Sequence, residues 1–216
     1  MHLFENNLFE SPQTSAAIAD GAVLLQGFAL ANEAQLLQDL DNILAASKLR
    51  HMVTTRGFAM SVAMTNCGDL GWVSDRSGYR YEPLDASTGL PWQPMPASFL
   101  NLAKQAAQAA GYSNFVPDAC LINQYKTGTK MGLHQDKDEQ DFSQPIVSVS
   151  LGCSATFQFG GLNRSDKPLK IPLHHGDVIV WGGQSRLNYH GIMPLKANKH
   201  AAFGELRHNL TFRKAR

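Results

Sequence analysis

Three short constellations hold the residue types that chemistry needs. In His134-Gln135-Asp136 an imidazole and a carboxylate stand two positions apart. On an extended backbone such residues point to one side and can converge on one ion. Alone the pattern is weak: 12 Asp and eight His in 216 residues give about 0.4 such matches by chance, and a loop histidine beside solvated acids would explain it. His190, in Asn188-Tyr-His-Gly-Ile192, is the second element. Joined to the first it makes a two-histidine, one-carboxylate set, which leaves open positions on Fe(II) for a co-substrate and dioxygen. Taken singly, His190 reads as a structural residue. The third is Arg207-His-Asn-Leu-Thr-Phe-Arg213, where Arg207, Asn209, Thr211 and Arg213 alternate with His208, Leu210 and Phe212. On a strand the four polar residues share one face. Two arginines on the inner face of a barrel are costly to bury without anions, and a dicarboxylate gripped at both ends answers both charges. A solvated edge strand is the bland alternative. Asn123 and Tyr125, again two apart, can donate to a carboxylate or keto oxygen on the same face.

These groups need a frame. Leu36, Leu37, Leu40, Ile43 and Leu44 follow Asn32 at helical spacing, predicting an amphipathic helix capped by that Asn and running to about Ser47. A second helix is expected over Pro96–Ala110, with Pro in the first turn and Gly111 as the stop. Residues 49–96 are rich in Gly, Pro, Arg and aromatics and fit no helical period. After Tyr112 the segments 118–125, 146–152, 155–159, 169–173, 177–181 and 207–213 are short, alternating or β-branched, and divided by turn residues. Such a series without intervening helices predicts an α+β protein whose core is a jelly roll, the double-stranded β-helix. The first 20 residues show no period and are expected to be an irregular lead-in.

Composition narrows the class further. Nineteen Lys and Arg against 18 Asp and Glu leave a net charge of +1, which argues against a polybasic coat protein. The sum hides a division, because residues 1–47 hold six acids and no Lys or Arg, and a charge of −6 there leaves +7 for the remainder. That permits a basic binding face with salt-sensitive affinity for nucleic acid. Cys67, Cys120 and Cys153 form no CxxC pair, so neither a disulfide framework nor a cysteine zinc site is suggested. Glu5 and Glu10 stand where a signal peptide would carry cations, and the weakly polar run 22–31 is too short to span a bilayer. A cytoplasmic protein is expected, acting as a monomer without membrane attachment. The length fits one catalytic domain over 1–216: an acidic extension and helix to about 47, a recognition segment over about 49–95, and a core from about 112.

Read in order, Asn123-Gln-Tyr125, Leu133-His-Gln-Asp-Lys-Asp-Glu139, Ile146–Gly152, Phe157–Leu162, His175–Gly183, Tyr189-His-Gly-Ile192 and Arg207–Arg213 resemble the AlkB family of DNA and RNA dealkylases, and Met60–Trp72 resembles its nucleotide-recognition segment. The resemblance runs from about Gly21 to Arg213. It implies that His134, Asp136 and His190 bind Fe(II), that Arg207 pairs with the distal carboxylate of 2-oxoglutarate, and that Arg213 pairs with the carboxylate beside the keto group. Asn123, Tyr125 and Asn209 would assist, and O2 would be the second co-substrate. It further implies that Trp72 and His134 sandwich a flipped base, that Asp138 faces the base edge, and that Thr54, Tyr79, Lys130 and Arg164 lie near base or backbone. Phe58 departs from the family's hydroxyl-bearing aromatic. The implied activity is oxidative demethylation of bases such as 1-methyladenine and 3-methylcytosine, in single-stranded or locally unpaired DNA, or in RNA. A 2-oxoglutarate hydroxylase of proteins or small molecules would need the same iron site, and a catalytically silent nucleic-acid-binding jelly roll would need none.

Overall fold

In the computed structural model, residues 14–216 are described. The chain begins there with the hairpin β1 (Ser15–Ala19) and β2 (Ala22–Leu25), followed by helix α1 (Glu33–Ala46). Next come β3 (Ala63–Gly68), β4 (Gly71–Asp75), β5 (Gly78–Glu82), β6 (Leu84–Asp85), β7 (Leu90–Pro91) and helix α2 (Ala97–Ala109). The remainder is strand: β8 (Ala119–Tyr125), β9 (Met131–His134), β10 (Ile146–Gly152), β11 (Ala155–Phe159), β12 (Leu169–Leu173), β13 (Val178–Trp181), β14 (His190–Ile192) and β15 (Arg207–Arg213). Ser15–Ala19 corrects the expected irregular lead-in, for it pairs with β2 at the sheet edge; residues 1–13 of that expectation lie outside the described residues.

Two antiparallel sheets make the jelly roll. The larger runs β1-β2-β13-β10-β15-β8-β3 and the smaller β12-β11-β14-β9. Alternation along β15 decides what each face meets. Leu210 and Phe212 join Leu36, Leu40, Ile43, Phe99 and Leu102 in a core between the large sheet and the two helices. The opposite face of the large sheet supplies Leu121, Tyr125, Ile179 and Trp181 to a second core with Phe157, Phe159 and Ile192 of the small sheet. Both faces are covered, so every residue of β10 and β15 is buried and the polar face of β15 is not a solvated edge. The helices bury the stripes their spacing marks, Leu36, Leu40 and Ile43 on α1 and Phe99, Leu102 and Ala106 on α2. Asn32 departs from expectation: a 3₁₀ turn over Leu30–Asn32 leads into α1, and the Asn side chain makes no capping bond. Packing rather than the cap therefore holds that terminus.

His208 carries a measurable consequence of the double cover. It is 4% exposed, its Nδ1 has no hydrogen-bond partner among the described residues, and the Gln124 amide donates to its Nε2 at 3.0 Å. Burial, and next the Arg207 charge, lower its pKa to about 4. A histidine whose folded pKa lies below its unfolded value binds fewer protons in the fold, so its neutral form contributes fully above about pH 6.5 and that contribution is lost as pH falls towards 4. Urea unfolding of the apoprotein should lose up to about 3 kcal/mol from this residue across that window. His208→Leu should flatten the slope, and an unchanged slope would refute the assignment.

Candidate active site

Strand register brings the first constellation together. His190 of β14 lies directly opposite His134 of β9, and a register shift follows between His190 and Ile192. The crossing is tight at Gly191, where a Cβ would come within 2.6 Å of the Met131 carbonyl oxygen and 3.0 Å of that of Gly132. Only glycine lets the two backbones approach this closely. Asp136 lies just past the end of β9 and is buried. Its Oδ1 is 3.6 Å from His134 Nε2 and its Oδ2 is 3.7 Å from His190 Nε2. One ligand atom from each of the three residues lies within 4.8 Å of the others, close enough to hold one metal ion.

The tautomers suit a metal as well. Nδ1 of His134 donates to the Gly132 carbonyl at 2.9 Å, and Nδ1 of His190 donates to that of Asn188 at 3.0 Å. Each Nε2 then presents a lone pair towards Asp136, the outer-shell arrangement that orients histidine ligands. Burial, and next the neighbouring His190, lower the pKa of His134 to about 4, which keeps the ring neutral at physiological pH. Burial pushes the Asp136 carboxyl up, but Arg213 and then His190 outweigh it and hold it well below the usual carboxylate range.

Beside these donors runs a narrow cavity lined by Asn123, Tyr125, Ser148, Arg207, Asn209 and Arg213. Period two on β15 faces Arg207, Asn209, Thr211 and Arg213 into it. Arg207 is 1% exposed, donates through Nη2 to Ser150 Oγ at 2.9 Å, and lies 4.8 Å over the Tyr125 ring. Its Nε and Nη1 are buried without partners among the described residues, as are Arg213 Nη1 and Asn123 Oδ1. Arg213 turns Nε and Nη2 to Asp136 Oδ2, at 2.9 and 2.7 Å. Asn209 has less to offer than expected, because its amide nitrogen already donates to Ser148 Oγ and the Val149 carbonyl, and its oxygen accepts from Thr211. Buried guanidinium donors left vacant on both sides of the pocket fit a dicarboxylate, and the three-ligand set beside them fits Fe(II) with open positions.

A wider cavity of about 330 Å³ opens on the other side of His134 and Asp136. Trp72, Tyr79, His134, Asp138 and Arg164 all line it, with Met60, Met64, Met131 and Leu121 as apolar wall. Trp72 stacks on Tyr79 with centroids 5.7 Å apart and planes 11° apart, and its Nε1 donates to Asp138 Oδ2 at 2.8 Å. Thr54 and Lys130 are not in the lining. Thr54 closes a turn, its Oγ1 accepting from the Phe58 amide at 3.2 Å, while Lys130 is exposed and bonded through its backbone to Ser61. Sequence spacing gave no sign of the buried ion network behind Asp136. There Arg186 donates to the Asp136 carbonyl and to Glu139, and Glu139 accepts from the Tyr81 hydroxyl at 2.6 Å. The Ser148–Ser150 alternation on β10 was a usable signal, since β10 pairs with β15 in register.

The model of the 2OG-Fe(II) oxygenase superfamily matches residues 21–213. Alpha-ketoglutarate-dependent dioxygenase AlkB of Escherichia coli is 57% identical over 198 residues, 92% of each chain. This chain belongs to the AlkB family. Nucleic acid dioxygenase ALKBH1 of Mus musculus is 35% identical over 123 residues, 57% of this chain and 31% of that protein. The solved structure of OsALKBH1 superposes with a TM-score of 0.80 at 30% identity, covering 93% of this chain and all of that one. This AlkB-family protein is therefore an Fe(II)- and 2-oxoglutarate-dependent dioxygenase, with O2 as co-substrate. Among its described residues no helix is long and apolar enough to cross a membrane, and all three cysteines are free and buried.

Proposed function

We propose that this dioxygenase removes methyl groups from ring nitrogens of nucleobases such as 1-methyladenine and 3-methylcytosine, in single-stranded or locally unpaired DNA, or in RNA. The observation that carries the reading is the wider cavity, where an aromatic wall, a carboxylate at hydrogen-bond distance from that wall, and His134 of the His134–Asp136–His190 set surround one space. In this reading His134, Asp136 and His190 hold Fe(II), and Arg207 and Arg213 hold the two carboxylates of 2-oxoglutarate, with Asn123, Tyr125 and Asn209 shaping that pocket. The bound iron and co-substrate supply oxidation of a methyl C–H bond by dioxygen, while 2-oxoglutarate leaves as succinate and carbon dioxide. The resulting N-hydroxymethyl group then releases formaldehyde and the unmodified base.

The chain's own residues select the substrate. Methylation of a pairing nitrogen makes the base cationic and blocks its pairing, which lowers the cost of taking it out of the stack. Trp72 and His134 then offer faces on either side of the extruded base, and base–aromatic stacking is worth about 1–3 kcal/mol. Asp138 supplies negative charge to the cationic base, and Trp72 Nε1 holds one of its oxygens so that the other is left for the base edge. Tyr79 and Arg164 line the mouth, with the Arg164 guanidinium 6.0 Å over the Tyr189 ring. Thr54 and Lys130 would touch only the flanking backbone.

A direct assay supplies Fe(II), 2-oxoglutarate and a single-stranded oligonucleotide carrying 1-methyladenine or 3-methylcytosine, and follows formaldehyde release together with loss of the methyl mass. Demethylation in step with succinate is expected. Succinate formation that proceeds with a protein or small-molecule substrate while the oligonucleotide stays methylated would overturn the reading.

A further inference from the structure

The wall of the wider cavity stands on a strand with little backbone support. Among the described strands β4 pairs only with β5, in a two-stranded ribbon separate from both large sheets. Trp72 faces Tyr81 across that ribbon. Its own peptide groups are bonded by a side chain. Asn66, on β3 at the edge of the large sheet, donates from Nδ2 to the Trp72 carbonyl at 3.0 Å and accepts the Trp72 N–H on Oδ1 at 3.0 Å. Asn66 is 0% exposed. A carboxamide presents an N–H donor and an oxygen acceptor on one edge, so this side chain bonds the N–H and C=O of Trp72 as a residue of a neighbouring strand would.

From this bidentate clamp we infer that Asn66 is a positioning residue for nucleic-acid demethylation, fixing the Trp72 backbone so that its indole stands at stacking distance from the base. The inference rests on the nucleobase reading of the cavity. Asn66 itself is not in the cavity lining and acts only through Trp72. The indole is fixed at its far end by Asp138 and on its face by Tyr79, so the clamp supplies the third constraint, on the backbone. Aspartate is nearly isosteric there but cannot serve, because its second oxygen would face the Trp72 carbonyl. Alanine leaves both peptide groups unpaired.

The test is a double-mutant cycle of Asn66→Ala and Trp72→Ala on the metal- and 2-oxoglutarate-loaded enzyme, with Asn66→Asp as a second variant should the alanine protein not fold. Asn66→Ala should raise KM for the methylated oligonucleotide about tenfold, within the range set by loss of one stacking contact. It should leave kcat within about twofold and add less than about twofold to KM once Trp72 is alanine, since contacts that act as a unit are not additive. Anaerobic titration with 2-oxoglutarate, read by the visible band of the iron chelate, should match wild type. An unchanged KM would overturn the inference, as would an equal loss in the Trp72→Ala background or a weakened chelate. If wild type itself leaves the oligonucleotide methylated while producing succinate, the nucleobase reading has failed instead.

Discussion

Replacing Asp136 with alanine should abolish turnover, lowering kcat/KM at least about a thousandfold, while oligonucleotide binding stays within about threefold of wild type. The magnitude follows from position. Residues that merely orient metal ligands typically contribute about 10–100-fold, and Asp136 is itself the donor that closes the His134–Asp136–His190 set. The sparing of binding follows from the architecture. Trp72 and Tyr79 stand on the β4–β5 ribbon and Arg164 on the loop after β11, outside the Asp136 segment, while His134 and Asp138 share that segment but keep their own bonds, to the Gly132 carbonyl and from Trp72 Nε1. One side effect is expected. Arg213 gives two of its donors to Asp136, and Glu139 Oε1, 3.4 Å from Arg213 Nε, is the anion that remains. Partial loss of counter-charge for a buried guanidinium should cost up to about 3 kcal/mol of stability. Asp136→Asn, which keeps an oxygen for Arg213, should lose the iron chelate band with a smaller fall in Tm. Formaldehyde release, anaerobic chelate titration and fluorescence anisotropy on the methylated oligonucleotide separate these effects. Equal loss of binding and turnover would mean that Asp136 acts structurally.

Much of the frame was readable because it obeys period rules. The segments from 118 to 213 that alternate or cluster β-branched residues became β8, β10, β11, β12, β13 and β15, with ends within a residue. Met131–His134 and His190–Ile192 were not readable as strands, being three or four residues long and each containing a glycine. Their pairing is set by backbone crossing at Gly191, which no local pattern announces. Strand period marked His134 with Asp136 and the inner-face arginines, whereas His190 joined the two metal donors through the family pattern, and the structure brings His134, Asp136 and His190 together. Asn66, Tyr81, Glu139 and Arg186 carry no such sign: Tyr81 meets Glu139 58 positions away and Arg186 meets it 47 away. Only long-range packing makes those pairs. Thr54 and Lys130, which the family pattern puts near base or backbone, stand outside the cavity lining.

Arg207→Met should move two observables in opposite directions. Loss of one guanidinium from the co-substrate pocket should raise the 2-oxoglutarate KM about 100-fold or more, since truncating one partner of a buried charge pair costs about 2–5 kcal/mol. The apoprotein, in contrast, should become no less stable. Arg207 is 1% exposed, two of its nitrogens have no partner among the described residues, and burial lowers its pKa. Replacing such a charge by an apolar side chain of similar length is often stabilising by about 1–4 kcal/mol. Against that gain stand the bond to Ser150 Oγ and the contact with the Tyr125 ring, together worth about 1–2 kcal/mol. The net expectation is an apo Tm equal to wild type or higher by about 2–4 °C. Ligand linkage should then reverse the order. Wild type loaded anaerobically with Fe(II) gains stability as 2-oxoglutarate exceeds its Kd, whereas the variant gains little at the same concentration. Melting curves of both proteins with and without 2-oxoglutarate should therefore cross. A variant less stable in both conditions would show that the Arg207 charge is already satisfied by the protein, and that the pocket was not built around an absent carboxylate.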